Sequence, residues 1–151
     1  MSLFSSFNIN ASGLTAERYR MDIIAENIAN ANTTRTADGT PYRRKVVTFE
    51  QRGQEASAGN FARVFNKASE SYNGRGVRVS KVSEDTWTDM IMAYDPSHPD
   101  ADENGYVTYP NVNIITEMTN MIDASRAYEA NATAFNASKS MAVQGLEIGR
   151  G

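Results

Sequence analysis

The 151-residue sequence contains no cysteine, only four prolines and a single histidine. Without cysteine the chain can form neither a disulfide nor a thiolate metal site, and it has no thiol nucleophile. One histidine leaves too few ligands for the usual transition-metal sites of proteins. The composition therefore predicts neither a bound metal nor a cofactor.

Long apolar runs and an excess of positive charge are also absent. No stretch approaches the ~18 apolar residues that a membrane-spanning helix needs. The net charge is -3, whereas nucleic-acid binders usually carry a broad basic surface. The first residues, Met1–Phe4, lack the basic region and apolar run of a secretory signal. We therefore expect a protein that does not span a membrane, does not bind nucleic acid, and leaves the cytoplasm, if it does, without signal-peptide cleavage.

The first zone of the chain, residues 1–34, carries the spacing of an amphipathic helix. Apolar side chains recur at every seventh position, and a second row interleaves to give alternating steps of three and four. This spacing places them on one helix face. Asn and Thr residues from 30 to 34 end the pattern, because their side chains compete for backbone hydrogen bonds. The main row consists of Phe7, Leu14, Met21 and Ile28.

The last zone, residues 113–151, predicts a longer helix that ends near Ile148. Its stripe advances in steps of three or four, no proline interrupts it, and Asn113 is suited to cap its N-terminus. Such a helix extends about 50 Å at 1.5 Å per residue, a length that favours a coiled-coil-like element. We expect the row of the first zone to pack on this stripe, within or between subunits, at Met121, Tyr128, Phe135 and Leu146.

The polar faces of both zones are built from small residues. A solvated helix usually exposes long charged side chains, whereas Ala, Asn, Ser and Thr let other helices approach closely. Two interpretations follow, namely a monomeric antiparallel hairpin or a close-packed assembly with neighbouring copies. The length of the last stripe favours assembly.

The middle zone, residues 35–112, is rich in glycine, aromatic and β-branched residues and predicts a small antiparallel β insert with Trp87 in its core. The predicted fold class is therefore α+β. Residues 1–34 and 113–151 form a discontinuous helical domain, an antiparallel hairpin of the two terminal helices, and residues 35–112 form the insert domain. The predicted strands are Tyr42–Glu50, Phe61–Phe65, Val77–Val82, Thr86–Tyr94 and Tyr106–Tyr109.

The segment Asp100–Gly105 matches the opening of a calcium-binding loop, with oxygen ligands at alternate positions and a glycine for the turn. The match fails at the twelfth position, where Asn111 stands in place of a bidentate Glu. Pro99 and Pro110 also flank the loop where helices should enter and leave. We therefore predict a tight turn stabilised by local side-chain hydrogen bonds, with a small calcium-binding module as the alternative function.

Other motifs for catalysis or binding are weak. His98 lies between two prolines, and no Gly-x-Ser-x-Gly motif accompanies it, so a rigid loop is favoured over a hydrolase site. The run Arg43–Lys45 is short and lies in an acidic chain, which indicates a solvated or interface strand rather than a nucleic-acid site. The sequence therefore predicts no catalytic residue and no enzyme.

Several short motifs nevertheless form a specific combination, namely Ser12–Leu14, Asn27–Thr33, Asp95–Val107 and Arg126–Asn131. Together they resemble the signatures of bacterial flagellar rod and hook proteins, and the motif around residues 95–107 resembles in particular the proximal rod proteins of the basal body. Another axial protein of the rod or hook remains the alternative within this class. The residues that carry the resemblance are Ser12, Gly13, Leu14, Asn27, Asn30, Asn32, Asp95, Pro96, His98, Pro99, Arg126, Tyr128, Glu129 and Asn131.

The resemblance implies a structural subunit of the rod, the drive shaft that transmits torque to hook and filament in motility. It implies that the terminal helices polymerise with copies of the chain and with other rod proteins, next to the membrane ring and the rod-adapter proteins. It also implies export through the flagellar type III apparatus and a place in the periplasmic part of the basal body. One departure is Glu26, where many relatives carry a second Asn before Asn27, and this charge is expected to affect a subunit contact.

Overall fold

The computed structural model describes residues 3–52 and 76–149. Two helices at the chain ends and two small two-stranded sheets make up the fold, which confirms the α+β class. In one sheet β1 pairs with β2, and in the other β3 pairs with β4. The elements are α1 (Leu3–Ala29), β1 (Lys45–Gln51), β2 (Val77–Glu84), β3 (Ile91–Tyr94), β4 (Tyr106–Tyr109) and α2 (Ile114–Ile148).

Both helix ends expected from Asn residues are present. At the start of α2 the side chain of Asn113 accepts a hydrogen bond from the backbone N–H of Thr116 at 3.2 Å, which is the geometry of an N-cap. At the end of α1 the amide of Asn30 donates to the carbonyl of Glu26, and Asn30 accepts from the hydroxyl of Thr33. These side chains satisfy groups that the helix leaves open, so the helix stops there.

The fourth predicted strand, Thr86–Tyr94, is shorter than expected and begins at Ile91. Residues 86–90 form a surface turn, because the carboxylate of Asp85 accepts hydrogen bonds from the backbone N–H groups of Trp87 and Thr88. This turn corrects a second prediction, since Trp87 is 92% exposed and does not belong to a core. The predicted strand Phe61–Phe65 lies outside the described residues.

The β3–β4 pair is an antiparallel hairpin with two different faces. Directly paired residues share a face, so Ala93 and Val107 lie on one side, while Tyr94 and Tyr106 lie on the other. Val107 is fully buried, whereas the two tyrosines are exposed. At the turn Gly105 has a φ of +81°, a backbone conformation that glycine adopts without the steric cost of a side chain. The hairpin therefore buries Val107 on one face and exposes Met92 and Tyr94 on the other.

Contacts divide the chain into two compact units, each of which contains part of both helices. The first unit comprises Met1–Glu17, Phe49–Val79 and Arg126–Gly151, and the second comprises Arg18–Thr48 and Ser80–Ser125. The domain division expected from the sequence separates the helices from the insert, and it stays a prediction. Within residues 3–52 and 76–149, no helix is both long and apolar enough to cross a membrane.

Candidate functional site

In the first unit α1 and α2 touch through residues of the predicted stripes and motifs. The rings of Phe7 and Phe135 meet edge to face, with centroids 5.1 Å apart. One and a half turns further along α1, Gly13 faces Asn131, and a Cβ built on Gly13 would lie 2.8 Å from the amide oxygen of Asn131. Real Cβ atoms do not approach oxygen so closely, so glycine allows the helices to come together here.

Ser12, which precedes this glycine, links α1 to the start of β2. Its buried hydroxyl donates to the carbonyl of Ile9 at 2.6 Å and accepts from the backbone N–H of Val77 at 3.0 Å. A Cβ at Gly76 would overlap this hydroxyl. The Ser-Gly pair therefore joins three segments of the first unit, because Ser12 of α1 forms a hydrogen bond with Val77 of β2 and Gly13 leaves space for Asn131 of α2.

Replacing Gly13 by alanine is expected not to give the stabilisation that alanine usually gives within a helix. Alanine favours a helix by ~1 kcal/mol over glycine, but overpacking against Asn131 costs about 1–3 kcal/mol. Gly145 in α2 supplies the matched control, because a Cβ there meets nothing within 4 Å. Urea unfolding should therefore show Gly145→Ala stabilised and Gly13→Ala unchanged or destabilised. Equal stabilisation of both variants would mean that the Gly13 contact has no steric role.

In the second unit Asn27 of α1 forms hydrogen bonds to Tyr42, which precedes β1, to Lys45 at the start of β1, and to α2. Asn27 is 1% exposed, and its side chain makes four hydrogen bonds to other residues. The amide donates to the carbonyl of Lys45 and to the carboxylate of Glu117, each at 2.9 Å. The amide oxygen accepts from the N–H of Lys45 at 2.8 Å and from the hydroxyl of Tyr42 at 2.9 Å. Four satisfied bonds fix this side chain in one orientation.

A buried ion pair lies beside Asn27. Glu117 of α2 is 1% exposed, and one of its oxygens accepts from the guanidinium of Arg44 at 2.8 and 3.0 Å. Another guanidinium nitrogen of Arg44 lies 3.4 Å from Asp85. Two charge-assisted hydrogen bonds to one carboxylate oxygen hold the guanidinium group against Glu117. Arg44 is thus a structural cation of the second unit, where the sequence predicted a solvated or interface strand; the strand itself begins at Lys45.

Asn111 completes the polar network of the second unit. Its amide oxygen accepts from the backbone N–H of Arg44 at 2.9 Å, and its amide donates to the carbonyls of Asp85 and Thr88 at 2.8 and 3.1 Å. The side chain of Asn111 therefore forms hydrogen bonds with backbone groups of Arg44, Asp85 and Thr88, in place of the bonds that a neighbouring strand would make. The sequence had drawn attention to Asn111 only as a missing calcium ligand.

The environment changes the pKa of Asp85. Burial alone would raise it, but hydrogen bonds from Thr88, Trp87 and Arg44 outweigh burial and hold the pKa of this carboxyl below its ordinary value of 3.8. A carboxyl with a lowered pKa in the folded state stabilises the fold above the unfolded pKa. This contribution is lost as the pH falls through the pKa of the folded protein.

Tyr42 responds to alkaline pH. Burial, followed by the charges of Glu26 and Glu117, raises its pKa from 10.0 to about 12. Between these values the unfolded chain loses the phenol proton while the folded chain keeps it, so stability should fall as the pH rises from 10 to 12. Urea unfolding at several pH values across this range should show that the free energy of unfolding falls less steeply with pH in Tyr42→Phe than in the parent chain. The variant also loses the hydrogen bond to Asn27, which is worth about 0.5–1.5 kcal/mol at neutral pH. An unchanged slope would contradict this assignment.

The loop between β3 and β4 is held by its own polar side chains. Asp102 accepts from the backbone N–H groups of Asn104 and Tyr106 at 2.9 and 2.8 Å, and His98 accepts from that of Asp100 at 3.1 Å. Asp100 also binds the hydroxyl of Thr34. The predicted tight turn is confirmed. No group of acidic or histidine side chains that could hold a metal occurs among residues 3–52 and 76–149.

Most of the predicted assembly residues are half-buried within the chain, but α2 leaves a large apolar surface uncovered. Leu146 is 71% exposed and Tyr128 is at the margin of exposure. In contrast, the polar residues Ser138 and Glu117 on the same helix are buried. Exposed large apolar side chains on α2 are Ile114, Ile115, Met118, Ile122, Tyr128, Met141, Val143, Leu146 and Ile148.

The charged departure noted at Glu26 has a partner in the same chain. Its carboxylate forms an ion pair with the ammonium group of Lys45, and both side chains are only partly exposed. The pair lies next to Asn27, which binds the backbone of the same lysine. Glu26 therefore contributes to the polar network of the second unit.

Comparison with known proteins agrees with these motifs. The family model "Flagella basal body rod protein" matches residues 7–35, and the model "Flagellar basal body rod FlgEFG protein C-terminal" matches residues 103–148. The two matches cover α1 with its capping residues and β4 with α2. Both helices and the polar residues that link them therefore lie in the parts of the chain that follow the family patterns.

Full-length relatives give the same result. The flagellar basal-body rod protein FlgC of Bacillus subtilis is 44% identical over 99% of this chain and 100% of its own. Its counterpart from Borreliella burgdorferi is 46% identical over the whole of both chains, and that of Escherichia coli O157:H7 is 38% identical over 99% and 100%. The chain therefore belongs to the FlgC family of flagellar basal-body rod proteins.

Proposed function

We propose that this chain, a structural subunit of the flagellar rod, joins the rod by burying the apolar surface of its terminal helices against neighbouring subunits. The observation that carries the proposal is the number of large apolar residues that α2 exposes, among them Ile115, Met141 and Leu146. A solvated monomer rarely exposes so many large apolar residues on one element, and such surfaces mark protein interfaces. Burial of each side chain stabilises an assembly by ~1.5–3 kcal/mol.

The antiparallel hairpin of α1 and α2 is part of the proposal. It is supported in the first unit by Phe7 with Phe135 and by Gly13 with Asn131, since the partners follow opposite orders along the two helices. Small residues at a helix contact allow close approach, which leaves the opposite side of each helix for other subunits.

Transmission of torque requires a subunit that does not yield internally. Buried polar networks specify one arrangement when every member is satisfied. Asn27, Arg44, Asn111 and Glu117 form such a network in the second unit. We infer that these bonds keep the subunit stiff, while apolar contacts between subunits supply cohesion.

The proposed partners are copies of this chain, other rod proteins, the membrane ring and the rod-adapter proteins at the base of the rod. The proposed place is the periplasmic part of the basal body, reached through the flagellar type III export apparatus without signal cleavage. These assignments are supported by the family to which the chain belongs.

Fractionation of basal bodies tests the proposed function. In the parent strain the chain should copurify with the rod, and deletion of its gene should leave cells without a complete rod and without motility. Restoration of the gene should restore both. Intact rods in the deletion strain would overturn the proposal. Calorimetric titration with calcium tests the alternative module, and micromolar binding would favour it.

A further inference from the structure

Trp87, the single tryptophan of the chain, lies on the surface of the second unit with nearly its whole side chain in solvent. It is 92% exposed. A tryptophan removes a large apolar area from water when a partner covers it. Tryptophan is also enriched among the few residues that dominate the binding energy of protein interfaces. Trp87 is therefore a candidate anchor for a partner protein.

The backbone beneath Trp87 is held in place within the isolated subunit. The carboxylate of Asp85 accepts hydrogen bonds from the backbone N–H groups of Trp87 and Thr88, each at 3.1 Å, and from the hydroxyl of Thr88 at 2.9 Å. The amide of Asn111 donates to the backbone carbonyls of Asp85 and Thr88. Because this turn is already ordered, binding through Trp87 loses less conformational entropy than binding through a mobile loop.

The same unit contains an open cavity that suits an indole ring. Its volume is about 460 Å³, and its lining residues belong to the second unit. Pro41 and the half-buried Met90 give it apolar walls. The sulfur of a methionine makes favourable contacts with aromatic rings. The other lining residues are Thr36, Asp38, Thr40, Tyr42, Arg43, Lys45, Glu84 and Thr108.

The charges of this cavity balance, which favours a neutral ligand that donates a hydrogen bond. Arg43 and Lys45 are opposed by Asp38 and Glu84. Cations bind the faces of aromatic rings, and tryptophan is the strongest partner for this contact. Lys45 is paired with Glu26, so we expect Arg43 to meet the ring. The indole N–H is a donor only, and the two carboxylates of the cavity are acceptors.

We propose that Trp87 of one subunit inserts into this cavity on a second copy of the chain. Within its own chain Trp87 is exposed and does not line the cavity. Every copy carries both the ring and the cavity, so an assembly of copies contains them in equal numbers. The proposal rests on the proposed function, because it requires copies of the chain to be neighbours in one particle. It gives the second unit a contact of its own, in addition to the apolar residues of α2.

Site-specific photocrosslinking in purified basal bodies tests this contact. The photoreactive residue p-benzoylphenylalanine in place of Trp87 keeps a large aromatic side chain and should yield, on irradiation, a species of twice the mass of the chain. Mass spectrometry should place the crosslink in the second copy at residues 36–45, 84–90 or 108. The control carries the same photoreactive residue in place of Lys81, another exposed position of the second unit, and should yield no crosslink to those residues.

Filling the cavity supplies a second arm of the test. Thr40 lines the cavity and is exposed, so Thr40→Trp places an indole of the same chain at this site and should abolish the dimeric crosslink from position 87. The matched control is Ala37→Trp, at an exposed position outside the cavity lining, and it should retain the crosslink. Both variants should keep the circular dichroism of the parent chain.

Three results of the first arm would overturn the proposal: a crosslink from position 87 only to a different rod protein, only to another part of the second copy, or to nothing in intact rods. An undiminished crosslink in Thr40→Trp would overturn it as well. The proposed function would fail in a different way, by absence of the parent chain from the rod fraction.

Discussion

Replacing Glu117 by alanine is expected to lower the free energy of unfolding by about 3–5 kcal/mol. Glu117, which is 1% exposed, accepts four hydrogen bonds, two from guanidinium nitrogens of Arg44 and one each from the amides of Asn27 and Asn120. Its removal leaves Arg44 with the more distant carboxylate of Asp85 and deprives the amides of Asn27 and Asn120 of this acceptor. Urea unfolding followed by circular dichroism measures the loss.

Two further variants separate charge from shape at this position. Glu117→Gln keeps the size but places a donor against donors, so a loss of about 1–3 kcal/mol is expected. The double variant Arg44→Met with Glu117→Leu removes both charges. Its loss of unfolding free energy should be smaller than the sum of the losses in Arg44→Met alone and Glu117→Leu alone, because the two groups are coupled. Additive losses would contradict a coupled ion pair, and a loss below ~1 kcal/mol for Glu117→Ala would contradict the network.

Polar substitution of exposed apolar residues on α2 should abolish assembly and leave the fold of the isolated chain unchanged. Met141→Gln and Leu146→Gln replace exposed apolar residues by a polar residue of similar helix propensity. In the isolated chain each change should alter stability by no more than ~0.5 kcal/mol. In cells, however, the loss of apolar burial on each of many subunits should remove the double variant from the rod fraction and abolish motility.

Ser140→Gln supplies the matched control, because it places the same residue at an exposed polar position of the same helix. It should assemble like the parent chain. Normal incorporation of the Met141 and Leu146 double variant would contradict the role given to α2. Deletion of the whole helix is a poorer test, since it also removes Glu117 and is expected to unfold the second unit.

The two helices and the family could be predicted from the sequence for physical reasons. Apolar spacing in steps of three and four depends only on local geometry, so it predicted α1 and α2. Asn30 and Asn113 act on the backbone within three or four residues, and their capping roles could be predicted as well. The short motifs gave the resemblance because each keeps a residue whose size or bonding is required at one place, as with Gly13 against Asn131.

The polar network could not be predicted, because its members are far apart in the sequence. Glu117 looks like an ordinary solvated residue in a helix, and nothing local indicates that Arg44, 73 residues earlier, reaches it. Asn27 was recognised only as part of a motif, with no indication of its four bonds. Trp87 was placed in a core by its size, but the turn made by Asp85 exposes it. Pairing over long separations is a property of the fold and not of a local pattern.

The most direct test of subunit joining through α2 is thiol labelling at one position. Because the chain has no cysteine, Leu146→Cys introduces its single thiol at a site that is 71% exposed in the subunit. A maleimide should label this thiol in the purified chain and in rods dissociated by denaturant, but not in intact basal bodies. Equal labelling of intact and dissociated rods would show that the apolar side of α2 remains in solvent, which contradicts the account.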